Sequence, residues 1–178
     1  MDSLDKFNFI LLAVLILLTT GMLVQHELMA SKNTVSVLDG KEAMIKQYEE
    51  RIARDAIIYK EVVVAKDENR QQDAMTMLDE IIRSHPENPQ SYVLQAEIIH
   101  TKGQLAKAIA TYRIAIEMEP DLVDNKTPLF IGDSVMDLIT VARGKLNREK
   151  KLKPDDKTIA VALENIYYLQ RRIAGGCE

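Results

Sequence analysis

The sequence has no tryptophan, one cysteine, and only 7 glycines and 5 prolines in 178 residues. Each shortage excludes something. With Cys177 alone, no internal disulfide and no cysteine-cluster metal site can form. So few glycines and prolines rarely interrupt the apolar pattern, and strand signals are nearly absent. An apolar content rich in Ala, Ile, Leu, Val and Met points instead to an all-α chain. Neither sign of charge dominates: 23 basic and 27 acidic side chains leave a net charge of -4. That balance argues against a general nucleic-acid binder, and no nucleic-acid partner is expected.

Catalytic constellations are also missing. Phe130-Ile131-Gly132-Asp133-Ser134 is similar to the nucleophile block of the Gly-Asp-Ser esterases, in which a distant histidine activates serine. No histidine follows His100, the flanks read as helix, and Ser134 with Asp137 reads as a local capping box. His26-Glu27 opens like a zinc-protease helix, but Ala30 stands where the second ligand must be. His85 and His100 have no evident partner, and Gly40-Lys41 lacks the glycine-rich loop of a phosphate cradle. The chain is therefore expected not to be an enzyme, with no metal and no cofactor.

What is present begins with Phe7 to Val24, about 18 residues without a charge that would span roughly 27 Å as a helix. This predicts an N-terminal transmembrane helix, with residues 1–29 as an uncleaved anchor. A cleaved secretory signal is the alternative, although Leu28 is bulky for a cleavage site. The short N-terminal flank suggests a single-pass inner-membrane protein with the bulk of the chain on the periplasmic, extracytoplasmic side. Residues 30–54 read as an amphipathic stalk, because Leu38, Ile45, Ile52 and Tyr59 recur every heptad with Tyr48 and Val62 beside them. Lys41, Asp55 and Lys66 interrupt that seam, so packing on the next segment is favoured over a self-associating coiled coil. Stalk and first repeat are expected to share one helix.

Residues 55–122 contain one pattern written twice at a spacing of about 34 residues. Ala74 falls on Ala108, Leu78 on Tyr112, Ile81 on Ala115, Ile82 on Ile116 and Pro86 on Pro120. A small residue lets two helices approach closely, a large apolar one fills the space beside it, and proline follows the second helix. At these residues the chain resembles the tetratricopeptide repeat family. The second copy matches better, with Tyr92 at the aromatic position, Ala96 at the small crossing position and Gly103 at the turn. Ile58, Val62 and Asn69 stand at those places in the first copy. The resemblance implies an α-solenoid of paired helices whose concave face, lined by the first helix of each hairpin, binds a protein partner. Carried over by position, that face takes Ala56, Tyr59, Val63 and Lys66, then Gln90, Val93, Glu97 and His100.

Residues 123–173 lose the register and predict a divergent capping hairpin. Thr127-Pro128 is expected to cap its first helix. One helix carries Ile131, Val135, Leu138, Ile139, Ala142 and Leu146, the other Ile159, Ala162, Leu163, Ile166, Leu169 and Ile173. Residues 174–178 are expected to be a frayed tail. Arg143, Lys145, Arg148, Lys150, Lys151 and Lys153 crowd one helix end, where they complement exposed carbonyls and offer a contact for an acidic partner or anionic headgroups. The function expected is that of a membrane-anchored adaptor or scaffold displaying its groove to a protein that is itself membrane-bound or periplasmic. The alternative is a structural accessory subunit of a larger membrane complex, held mainly by its apolar helix.

Overall fold

The computed structural model describes residues 19–23, 25 and 40–175. The chain divides into two compact units, Met1–Lys46 and Gln47–Glu178. In the first, residues 19–23, 25 and 40–46 are helical. No strand occurs among the described residues, so they are all-α as expected. The membrane expectation is corrected. No helix among the described residues is long and apolar enough to cross a membrane. The longest helix of the second unit, 21 residues from Gly132 to Leu152, carries Asp133, Asp137, Arg143 and Arg148 among other charges, which hydrocarbon would not tolerate. That overturns the expected transmembrane helix and, with it, the membrane anchorage and the single-pass inner-membrane location. Of the predicted span only 19–23 are described; 7–18 and 24 lie outside, as do the N-terminal part of the stalk to residue 39 and residues 176–178 of the tail.

The second unit opens with helical residues 47–58 (α1), followed by α2, Lys60–Asp67. The Tyr59 amide donates to the Asp55 carbonyl at 2.9 Å and the Val63 amide to the Tyr59 carbonyl at 2.9 Å. The helical ladder therefore runs through the irregularity at Tyr59, making α1 and α2 one rod. Next come α3 (Gln71–Ser84), α4 (Pro89–Thr101) and α5 (Leu105–Met118). A 3-10 turn at Pro120–Val123 leads to α6 (Gly132–Leu152) and α7 (Lys157–Ile173). Each helix from α2 to α7 packs on its successor, and α7 also packs on α5.

The two central hairpins repeat in backbone as well as in sequence. Both second helices, α3 and α5, are 14 residues long. Before each of them the chain turns through the left-handed region, at Asn69 with φ 60° and at Gly103 with φ 71°. The hydrogen bonds correspond: Arg70 N donates to Ala65 O at 2.8 Å, and Gln104 N to Ile99 O at 3.2 Å. Asparagine, which tolerates this conformation better than most side chains, thus takes the part of glycine in the degraded copy. A Cβ at Gly103 would meet nothing within 4 Å, so the cost of Gly103→Ala is conformational alone. We expect that substitution to lower the unfolding free energy by about 1–2 kcal/mol, and Asn69→Gly to change it by less than about 1 kcal/mol. Denaturant titration of both variants checks this, and a neutral Gly103→Ala would refute the role of the turn.

Two hydrophobic cores share α4. Tyr59, Val62, Ala65, Ala74, Leu78, Leu94 and Ile98 form the first. The second gathers Val93, Ala96 and Ile99 with Ala108, Ile109, Tyr112, Ala115 and Ile116, and with the apolar faces of α6 and α7. A helix buried on both sides must be apolar nearly all round, which is why α4 reads YVLQAEII in its middle. Asn88 begins it, its side chain accepting the Gln90 amide at 3.0 Å, with Pro89 in the first turn where no amide donor is needed.

The third hairpin differs at its start from the expected cap. Thr127 is not the N-cap, because its hydroxyl donates to the Asp121 carbonyl at 2.8 Å inside the connection. The helix begins instead at Gly132, placing Ser134 inside the first turn rather than at a capping position, and its N-cap, Ile131, has no side-chain cap bond. The Phe130 ring lies across the helix start, and a Cβ at 132 would sit 2.4 Å from its Cε2, so any larger residue there would have to displace the ring. At the other connection Asp156 caps α7, accepting the Thr158 amide at 2.9 Å and the Ile159 amide at 3.4 Å. Those amides favour its charged form and hold its carboxyl below the usual range.

Candidate partner-binding surface

The rod of α1 and α2 and the helix α4 carry all the residues expected to face a partner. Three polar contacts fix their register. At one end the Asn88 side-chain amide donates to Asp55 at 2.8 Å. In the middle, the Tyr59 hydroxyl and the Ser91 hydroxyl lie 2.7 Å apart in a buried hydrogen bond. Farther along, Lys66 Nζ donates to Glu97 Oε2 at 2.6 Å. The last bond joins two predicted surface residues, one from each hairpin.

The seven residues separate by environment. Tyr59 and Val93 are 2% and 3% exposed and belong to the two cores, so neither is available to a partner. They occupy the same position in successive hairpins, the flank on which each rod is covered by its neighbours. Burial pushes the Tyr59 phenol above its ordinary pKa, and the bond to Ser91 draws it part of the way back. The other five reach the surface: Val63 and His100 are exposed, and Lys66, Gln90 and Glu97 half-buried. Ala56 is exposed as well. With both charges paired, the strip Val63, Lys66, Glu97, Gln90, His100 is electrically near neutral and has hydrogen-bonding capacity at Gln90 and His100. Among the described residues no three His, Cys, Asp or Glu come together as a metal site. Ser134 is exposed in the first turn of α6.

Several contacts were not legible in the sequence. The Tyr48 hydroxyl donates to the Asp121 carboxylate, and Arg51 bonds Glu119 at 2.5 Å. Together they clasp α1 to the end of α5. The bond to Asp121, with some burial and the nearby carboxylates, pushes the Tyr48 phenol up to about 12. The heptad seam predicted for Tyr48 is replaced by this hydroxyl bond, while Ile52, on the same predicted seam, is 40% exposed. On the far side, Arg113 donates to Asn165 at 2.9 Å and to Glu117 at 2.7 Å. Its guanidinium also lies 4.4 Å from the centre of the Tyr168 ring, a stacking geometry that ties α5 to α7.

Comparison with protein-family models, with curated proteins and with solved structures finds no match to this chain.

Proposed function

We propose that the second unit is a non-catalytic, protein-binding scaffold of the tetratricopeptide type, which holds a partner against the strip formed by Val63, Lys66, Gln90, Glu97 and His100. The observation that carries this reading is the coincidence of two repeats. Sequence pattern and turn backbone recur at the same spacing, with left-handed residues at Asn69 and Gly103 and second helices of equal length. A stack of such hairpins aligns its first helices side by side, and the Lys66–Glu97 bond spans that seam. The surface around it joins the polar Gln90 and His100 to the apolar Val63, which suits an extended or helical peptide rather than a small molecule.

Replacing Glu97 and His100 together with Ala is expected to weaken capture of the partner from a native extract by at least about 10-fold, a loss of roughly 1.4 kcal/mol. Stability should move by less than about 1 kcal/mol, since the ion pair lost is half-exposed and His100 is at the surface. Arg148→Glu, made on a different helix, serves as the comparison. Undiminished capture by the double variant would reject this surface and leave the fold untouched.

A second reading is favoured by one specific feature. Ile57 is 78% exposed and Val64 39%, two turns apart on one helical face and away from the first core, as expected where another helix covers the start of the stack. The chain would then be a structural subunit of a larger assembly. Its native size distinguishes the readings: a subunit should migrate with that assembly after gentle extraction, an adaptor apart from it.

A further inference from the structure

Around Ala106, three adjoining cavities open between the start of α5, the end of α6 and the start of α7. Their volumes are about 540, 250 and 520 Å³, and Ala106 lines all three. On α7 the wall is made by Thr158, Val161, Ala162 and Asn165, a spacing of i, i+3, i+4, i+7 that presents one helical face over two turns, roughly 10 Å. The floor continues through Leu146, Leu152 and Ile159. Leu152 is 82% and Val161 54% exposed, so apolar surface faces water here.

The rim is cationic. Lys107, Lys145, Lys153 and Lys157 line these openings, all are exposed, and none belongs to an ion pair among the described residues. Two carboxylates, Glu149 and Asp156, share the lining, Asp156 held ionised by the amides of Thr158 and Ile159, so four cations face two anions. Elsewhere in the unit Arg51, Lys66, Arg70 and Arg113 do have carboxylate partners. Other cations of the unit, Arg54, Lys60, Arg83 and Lys102 among them, have no ion pair among the described residues either; the four at this rim differ in bordering the apolar depression.

We propose that this depression docks an acidic segment of a partner protein whose apolar side chains enter between α5, α6 and α7 while its carboxylates meet the four lysines. The apolar floor decides the class of ligand. Phosphates would find lysines but no use for Leu146, Ile159 and Val161. A single-stranded nucleic acid stacks its bases on aromatic rings, and no aromatic residue lines the three cavities. The chain's net charge of -4 also opposes a long polyanion, whereas a short acidic segment meets only the local field. This surface lies on other helices than the Glu97–His100 strip, so either assignment can fail without the other.

The test uses the full chain and fluorescence anisotropy with a labelled peptide carrying Leu at i, i+3, i+4, i+7 and Glu between. Binding is expected at low salt, at least about 10-fold tighter than for the peptide with Lys in place of Glu and falling as salt is added. It should also drop at least about 10-fold in Lys107→Glu/Lys157→Glu and in Val161→Asp, and be unchanged in Lys126→Glu; circular dichroism confirms that each variant folds. Equal affinity for the two peptides would overturn the proposal. So would undiminished binding by the charge-reversed variant, or tighter binding of a single-stranded oligonucleotide, which would mark the site as an unselective anion surface.

Discussion

Ile98→Ala and Ile99→Ala should each cost about 2–5 kcal/mol, and each should loosen both cores, although the two side chains enter different ones. Ile98 is 0% and Ile99 2% exposed; the first packs with Tyr59, Val62 and Leu78, the second with Ile109, Tyr112 and Ile116. Truncation removes three buried carbons and leaves a cavity that neighbours on a rigid helix fill poorly. Because α4 is the wall common to both cores, neither can come apart while the other keeps that helix in place. Hydrogen exchange read by mass spectrometry separates the alternatives. Shared loss of protection in α3 and α5 is the expected result for both variants. If Ile98→Ala exposed α3 alone and left α5 protected, the cores would be independent units and the shared-wall argument would be wrong.

The repeat was legible because packing recurs in side-chain volume. Ala74 and Ala108 are both 0% exposed, each packed in a core with the large residue four positions on. Asn69 shows how a degraded position keeps its role: it adopts the left-handed conformation of Gly103, and the turn survives the loss of glycine. Positions on the expected concave face were harder to read. Tyr59 and Val93 sit one helical turn from the surface strip, and a difference of one turn decides between core and groove. Spacing alone does not say how far a neighbouring helix wraps around that flank.

The start of the third hairpin misled for a local reason. Thr-Pro is a good helix opening, but the Thr127 hydroxyl already serves the carbonyls of Asp121 and Asp124. The helix then starts at Gly132, beneath the Phe130 ring. The lysine-rimmed depression was illegible for a different reason: its walls come from three segments far apart in sequence. The basic run from Arg143 to Lys153 was visible, but Lys107 and Lys157, which complete the rim, belong to other helices. The apolar run 7–24 carried the membrane expectation by hydropathy alone, and no described helix supports it.

Raising the pH above about 10 should destabilise the second unit steeply, through the buried Tyr59 and Tyr112, with the more exposed Tyr48 adding through its bond to Asp121. Burial holds both phenols above their ordinary range, and for Tyr112 the charge of Glu97 adds to the effect. In the unfolded chain both ionise near pH 10, whereas the folded chain keeps its protons. The unfolded state therefore binds fewer protons above that pH, and stability falls as pH rises. The stabilisation is complete below the unfolded pKa and is lost as pH climbs toward the folded values, at up to about 1.4 kcal/mol per pH unit for each tyrosine. Unfolding free energies should thus be level from pH 7 to 9 and decline between 10 and 11. Tyr112→Phe keeps the ring volume and should flatten the decline by up to about 1.4 kcal/mol per unit, with a smaller effect at pH 7. Tyr59→Phe should flatten it as well, but it also costs stability at neutral pH, because Ser91, 0% exposed, loses its hydrogen-bond partner. Chemical unfolding of the wild type and both variants at pH 7, 9, 10 and 11 provides the comparison. An alkaline slope unchanged by Tyr112→Phe would mean that this phenol ionises equally well in the folded state, and so that its burial does not oppose the charge.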